Sequence, residues 1–147
     1  MIRIQSGDLL RSDAEALVNP VNTVGVMGAG LAAQFKRAYP ENFRAYYARC
    51  MHGEMHTGRM FVTRVGLRWI INFPTKEHWR HPSRIEWIAE GLRDLRAVIE
   101  REDIRSIAIP ALGAGLGGVP LPLVQFAIVT ALDDLDGVDI IVYRPLP

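Results

Sequence analysis

A single cysteine, Cys50, stands in 147 residues. An intramolecular disulfide is thereby excluded, as is any zinc cluster built on cysteine. No apolar run reaches the roughly 20 residues that a membrane span needs. The start, Met1-Ile-Arg-Ile-Gln5, enters a strand pattern without a charged and apolar leader. The chain is therefore expected in the cytoplasm, with no membrane partner. Charge of either sign is also scarce in the balance: 17 Lys and Arg against 16 Asp and Glu, a formal +1. This excludes the basic stripe of a general nucleic-acid binder but leaves room for local reading of a short single strand. No Walker lysine follows a glycine loop, and no serine sits in a nucleophile elbow. Low-complexity tracts, linkers and solenoid repeats are missing too. Residues 1–147 are read as one domain, of a size that buries roughly 70% of its unfolded surface.

Glycine, by contrast, is concentrated in two places. One stretch reads Ala16-Leu-Val-Asn19-Pro-Val-Asn22-Thr-Val-Gly25-Val-Met-Gly28-Ala-Gly30, the other Ser106-Ile-Ala-Ile-Pro110-Ala-Leu-Gly113-Ala-Gly115-Leu-Gly117-Gly118. Each follows a strand-like run and leads into a helical segment. Glycine lets backbone approach a ligand and aim several N–H groups at one point. Two such loops at neighbouring strand ends could grip a diphosphate from both sides. The structural alternative is a pair of tight turns in an ordinary α/β domain.

Strand patterns cover residues 2–5, 16–18, 59–65, 68–73, 106–110 and 138–143. Helical patterns cover 29–39, stopped by Pro40, then 42–51, 83–102 and 120–132. In the third helix Ile85, Ile88, Leu92, Leu95 and Ile99 make a core-facing stripe. Ser83 and Glu86 have the spacing of a capping box. Alternating strands and helices predict an α/β class with a mostly parallel sheet, whose ligands sit beyond the strand carboxyl ends.

Several side chains could carry chemistry there. Gly28-Ala-Gly30-Leu-Ala-Ala33 matches G-x-G-x-x-A formally, yet about ten residues separate it from the strand, which argues against a hydride-transferring dehydrogenase. His52 and His56 have helical metal spacing, but Gly53 lies between them and no third ligand is near in sequence. Asn22 can hold a ribose diol or bridge its own turn. Asp8 can accept from an adenine amino group or cap a helix. Lys76 follows a strand end, where a lysine can act as nucleophile or base; the alternative is a surface cation. The run Lys76-Glu-His-Trp79-Arg80-His81-Pro-Ser-Arg84 can track phosphates and stack on a base, or form a solvated loop. Cys50, among Tyr46, Tyr47 and Met51, is expected to be a packed thiol.

In order, Gly7-Asp8-Leu9-Leu10, Ala16-Leu-Val-Asn19-Pro-Val-Asn22, Gly28-Ala-Gly30-Leu31-Ala32 and Pro110-Ala-Leu-Gly113-Ala-Gly115-Leu-Gly117-Gly118 resemble a macro domain, over essentially the whole chain. The resemblance implies a three-layer α/β/α sandwich with a mixed, mostly parallel central sheet that binds ADP-ribose. Residues 21–28 and Asn72-Phe-Pro-Thr-Lys76-x-x-Trp79-Arg80 are similar to the DarG-like branch. That branch resembles the terminal ADP-ribose glycohydrolases and includes antitoxins that take ADP-ribose off thymidine in DNA.

The resemblance also implies roles. Asp8, with the Leu9 backbone, would meet adenine. Asn22 would orient the distal ribose, and Lys76 would act with it at or near the anomeric carbon. Asn19 and Thr23 would belong to the ligand wall. Gly28, Ala29, Gly30 and Leu31, with Gly113, Ala114, Gly115, Leu116 and Gly117, would bind the diphosphate and wrap the ribose. Trp79, Arg80, His81 and Arg84 would contact nucleic acid. ADP-ribosylated single-stranded DNA and a DarT-like transferase toxin would be partners, with no cofactor and no metal. Terminal ADP-ribose glycohydrolases carry an aspartate where this chain has Gly117, a departure that DarG-like members share. The same pocket would also serve hydrolysis of protein-linked ADP-ribose, or reading without chemistry.

Overall fold

The computed structural model describes residues 1–144, and of Leu116 the backbone alone. In β2 (Ala16–Asn22), Ala16 and Val18 face one side of the sheet and Leu17 the other, all fully buried. A strand covered on both faces belongs in the middle of a parallel sheet. β2 lies between β4 (Arg68–Lys76) and β5 (Ser106–Ile109), parallel to both. β6 (Asp139–Tyr143) pairs in parallel with β5, and β1 (Ile2–Gln5) with β6. β3 (Phe61–Val65) runs antiparallel to β4. The order β1-β6-β5-β2-β4-β3 is the expected mixed, mostly parallel sheet.

α3 (Ile85–Arg101) and α4 (Leu121–Leu132) cover one face. The predicted stripe Ile88, Leu92, Leu95 and Ile99 is buried there against Ile71, Phe73, Ile107 and Ile109. α1 (Gly30–Ala38) and α2 (Pro40–Met51) cover the other. Phe35 packs with Leu17, Ile70 and Ala108, and Tyr46 and Cys50 with Val21 and Met27. Cys50 is thus the packed thiol expected. The result is three layers, α/β/α.

The structure departs from the sequence pattern at element ends. β2 continues through Pro20 to Asn22, because its ladder with β5 stops at Leu17 and a missing N–H is tolerated on an unpaired side. β4 continues past Phe73 to Lys76. Pro40 both ends α1 and opens α2, in the first-turn position where its missing N–H costs nothing. The capping box does not form. α3 starts at Ile85 after Arg84, without a side-chain cap, and the Ser83 hydroxyl donates instead to the Thr75 carbonyl.

Gly91, in the middle of α3, lies so close to the Phe73 ring that a methyl group there would overlap it. Alanine gains about 1 kcal/mol over glycine in a helix, but a rigid buried ring cannot yield cheaply. Gly91→Ala is expected to lower stability by about 1–3 kcal/mol, read from urea unfolding.

Candidate functional site

Because β1, β6, β5, β2 and β4 are mutually parallel, their carboxyl ends share one edge. A cavity of about 960 Å³ opens along it. Its walls come from the segments just after each of these strands: Gly7, Asp8 and Leu9; Gly28, Ala29, Gly30 and Leu31; Lys76 and Trp79; Gly113, Ala114 and Gly117; Arg144. β1 and β4 stand four interstrand spacings apart, roughly 19 Å. The cavity is therefore a trough, with Asp8 towards one end and Lys76 towards the other.

The first glycine loop is braced from its start. The β2–β4 register slips between Val21 and Asn22, so that Asn22 pairs with Lys76 and Thr75 is passed over. Such a bulge re-aims the side chains beside it. Asn22 Oδ1 accepts from Val24 N at 3.1 Å, Val26 N at 3.3 Å and the Tyr46 hydroxyl at 2.8 Å. Its Nδ2 donates to Val26 O at 2.8 Å. Tyr46 also donates to Asn22 O at 2.9 Å. Asn22 thus bridges its own turn, and it also lines the cavity. Thr23 Oγ1 donates to Glu77 O at 2.9 Å and ties the loop to the end of β4.

The loop then delivers an open helix end to the cavity. Ala29, at the N-cap of α1, makes no side-chain cap. The first N–H groups of a helix have no intrahelical partner, and here they belong to Gly30, Leu31 and Ala32, all cavity-lining. Such an end attracts an anion. Across from it, the second loop folds into a 3-10 turn over Gly115–Gly117. Gly113, at a φ of +73°, starts that turn, and a side chain there would meet Ser83 Oγ at 3.0 Å.

Asp8 caps the short turn Leu9–Arg11, with Oδ1 accepting from Leu10 N at 3.0 Å. One carboxylate oxygen is so engaged, and the residue still lines the cavity. Lys76 Nζ donates to Trp79 O at 3.4 Å. The Trp79 ring, half-exposed, stacks with His78 at 5.3 Å and carries the Arg80 guanidinium at 4.6 Å.

Not every expected residue reaches the cavity. Asn19 is fully buried beneath it. Position 19 shares Leu17's sheet face, under α2, and its Nδ2 donates to Asn72 Oδ1 at 3.2 Å. Thr23, Gly115, Arg80, His81 and Arg84 are not among its described lining residues. Arg84 sits over Trp87 instead, and His81 beside His78. The Leu116 side chain lies outside the described residues. Sequence reasoning passed over Tyr46, Tyr143 and Ser83. Tyr46 was findable from its i, i+4, i+8 spacing with Asn42 and Cys50, which puts all three on the buried face of α2. Among the described residues, no group of three or more His, Cys, Asp or Glu could hold a metal, and His52 Nδ1 contacts Ala48 O. No described helix is long and apolar enough to cross a membrane.

Burial pushes the Tyr46 phenol far above its ordinary 10.0, with Cys50 beside it adding to the effect, and pushes the Cys50 thiol above 9.0. The folded chain therefore keeps protons that the unfolded chain releases. Stability from this pair is complete well below the ordinary thiol value of 9.0 and declines as pH rises through it. The urea midpoint is expected to fall between about pH 8 and about pH 10.5, and to fall less in Tyr46→Phe/Cys50→Ala than in the parent chain.

Comparison with known proteins bears on this arrangement. The sequence pattern of the Macro domain family matches residues 18–127. The DNA ADP-ribosyl glycohydrolase of Thermus aquaticus is 53% identical over 99% of this chain and 42% of its own length. This chain thus spans about two-fifths of the length of the curated relatives it matches. The macrodomain of Mycobacterium tuberculosis DarG superposes with a TM-score of 0.97 at 51% identity, covering 99% of both chains. Thermosipho africanus DarTG, solved in complex with ADP-ribose, superposes with a TM-score of 0.88 at 34% identity, over 95% of this chain and 40% of that one. A family pattern spanning both glycine loops, with a superposition over nearly the whole chain, leaves one conclusion: the chain belongs to the macro domain family.

Proposed function

We propose that this chain, as one macro domain over residues 1–147, hydrolyses the bond between ADP-ribose and a modified thymidine base in single-stranded DNA. One observation carries the reading: an uncapped helix end and a glycine turn flank a trough that has Lys76 at one end. The backbone N–H groups of residues 28–31 and 113–117 hold the diphosphate, whose charge suits the helix end. Adenine lies towards Asp8 and the distal ribose towards Lys76. Asn22, which lines the cavity and bridges its own loop, orients the distal ribose beside Lys76. The Thermus aquaticus and Mycobacterium bovis relatives are DNA ADP-ribosyl glycohydrolases, which supports this reading.

The reaction breaks the bond from the sugar's anomeric carbon to the base nitrogen. Water's hydroxyl adds to that carbon, and a proton ends on the base nitrogen. Of the ionisable groups among the described lining residues, Arg144 follows β6, three strands away from β4, Asp8 caps the distant turn, and Tyr143 is buried in the core. Lys76 is left as the catalytic residue. Position 117 offers no carboxylate, so the proton traffic falls to the lysine and water.

The modified strand approaches past Trp79 and Arg80, whose stacked, cationic surface suits a base and its phosphate. His81 and Arg84, further along the same exposed segment, meet neighbouring phosphates. A DarT-like transferase is the proposed partner, as the fused Thermosipho africanus relative joins a DNA ADP-ribosyl transferase and a glycohydrolase in one chain. The cytoplasm is the proposed location.

With an oligonucleotide ADP-ribosylated on thymidine, release of free ADP-ribose is expected. Turnover only of modified protein, or binding without turnover, would overturn the proposal. Lys76→Ala is expected to keep ADP-ribose affinity within about tenfold, or ~1.4 kcal/mol, while turnover is lost; calorimetry and the release assay read the two. Trp79→Ala is expected to raise KM for the oligonucleotide about tenfold, with a smaller loss of affinity for free ADP-ribose.

A further inference from the structure

Thr75 is the residue that the β2–β4 ladder passes over, immediately before Lys76. An extra residue in a bulge lacks its ladder partners. Ser83, buried between β4 and the second glycine loop, supplies one: its hydroxyl donates to the Thr75 carbonyl. Its backbone N–H donates to Gly117 O at 2.9 Å. One residue thus fastens the carbonyl preceding Lys76 and the last carbonyl of the 3-10 turn.

Packing says the same. A methyl group on Gly117 would lie 3.2 Å from Ser83 Cβ and 3.8 Å from Lys76 Cε, and one on Gly113 would lie 3.0 Å from Ser83 Oγ. Ser83 therefore occupies the volume that both glycines vacate, and the lysine stem passes beside the same glycine. A buried hydroxyl bonded to a buried carbonyl is difficult to replace, since its loss leaves that carbonyl without its donor.

We propose that Ser83 is a positioning residue: it clamps the strand end bearing Lys76 to the 113–117 loop, so that the amine and the diphosphate cradle keep one spacing. It touches no substrate and acts through Lys76 and the loop. The inference rests on the glycohydrolase reading for its kinetic part and on the geometry alone for its structural part.

The test compares the parent chain with Ser83→Ala and Ser83→Cys, the thiol being a weak donor of similar size. In Ser83→Ala, kcat on the ADP-ribosylated oligonucleotide is expected to fall about tenfold, with KM within about threefold. Ser83→Cys is expected to fall between the two. Hydrogen exchange, which needs no substrate, is expected to quicken at residues 113–119 in Ser83→Ala while the β1 and β6 amides keep their protection. Unchanged exchange at 113–119 would overturn the clamp, whether or not the parent turns over. Equal kcat in all three proteins, or a KM rise as large as the kcat loss, would overturn the positioning role. Absence of turnover in the parent, with exchange altered as expected, would overturn the glycohydrolase reading and leave the clamp standing.

Discussion

The parallel register of β2 against β4 sets everything at the trough's reactive end. Up to Val21 the two strands keep step, and then Thr75 drops out of the ladder and Asn22 stands opposite Lys76. On one side of that slip, Asn22 starts the loop that ends in the bare helix terminus of α1. On the other, Lys76 ends the strand and meets the segment that carries Trp79 and Ser83. A one-residue change of pairing would separate these groups and turn apolar side chains such as Leu17 and Ile70 to the wrong face. The burial of both strands on both faces is what prevents it.

Charge is used sparingly in this arrangement. The cradle proposed for the diphosphate is built from main-chain N–H groups and a helix dipole, both fixed by the fold before a ligand arrives. Of the side-chain cations, Lys76 and Arg144 line the cavity, while Arg80 and Arg84 stand outside it, where the proposed strand of DNA would pass. On the proposed reading, a chain of formal charge +1 would thus serve a ligand rich in phosphate.

The glycine loops were legible because glycine's lack of a side chain marks where backbone must come close, and the α3 stripe because burial on one helix face leaves a period of 3.6. Lys76 was legible only through position and resemblance. Contacts between distant segments were not. Nothing local distinguishes Asn19, which lies under the trough, from Asn22, which braces its loop; strand parity and a bulge separate them. Ser83 looked like a helix cap because Ser-x-x-Glu satisfies a local rule. A carbonyl left over by the slip in β4 took its hydroxyl instead. The strand read over 16–18 stopped short of Pro20 because the sequence does not reveal that the β5 ladder has already ended.

Under α2, Asn42 and Asn72 exchange amide hydrogen bonds of 3.0 and 2.8 Å, and Thr63 and Asn19 join them at 2.7 and 3.2 Å. An oily seam would let a helix slide or roll by a fraction of a turn at little cost. Here any such motion would strand buried amides without partners, so the helix has a single seat. The phenol one turn further along inherits that seat, and a keyed helix becomes the gauge against which the first glycine loop is measured.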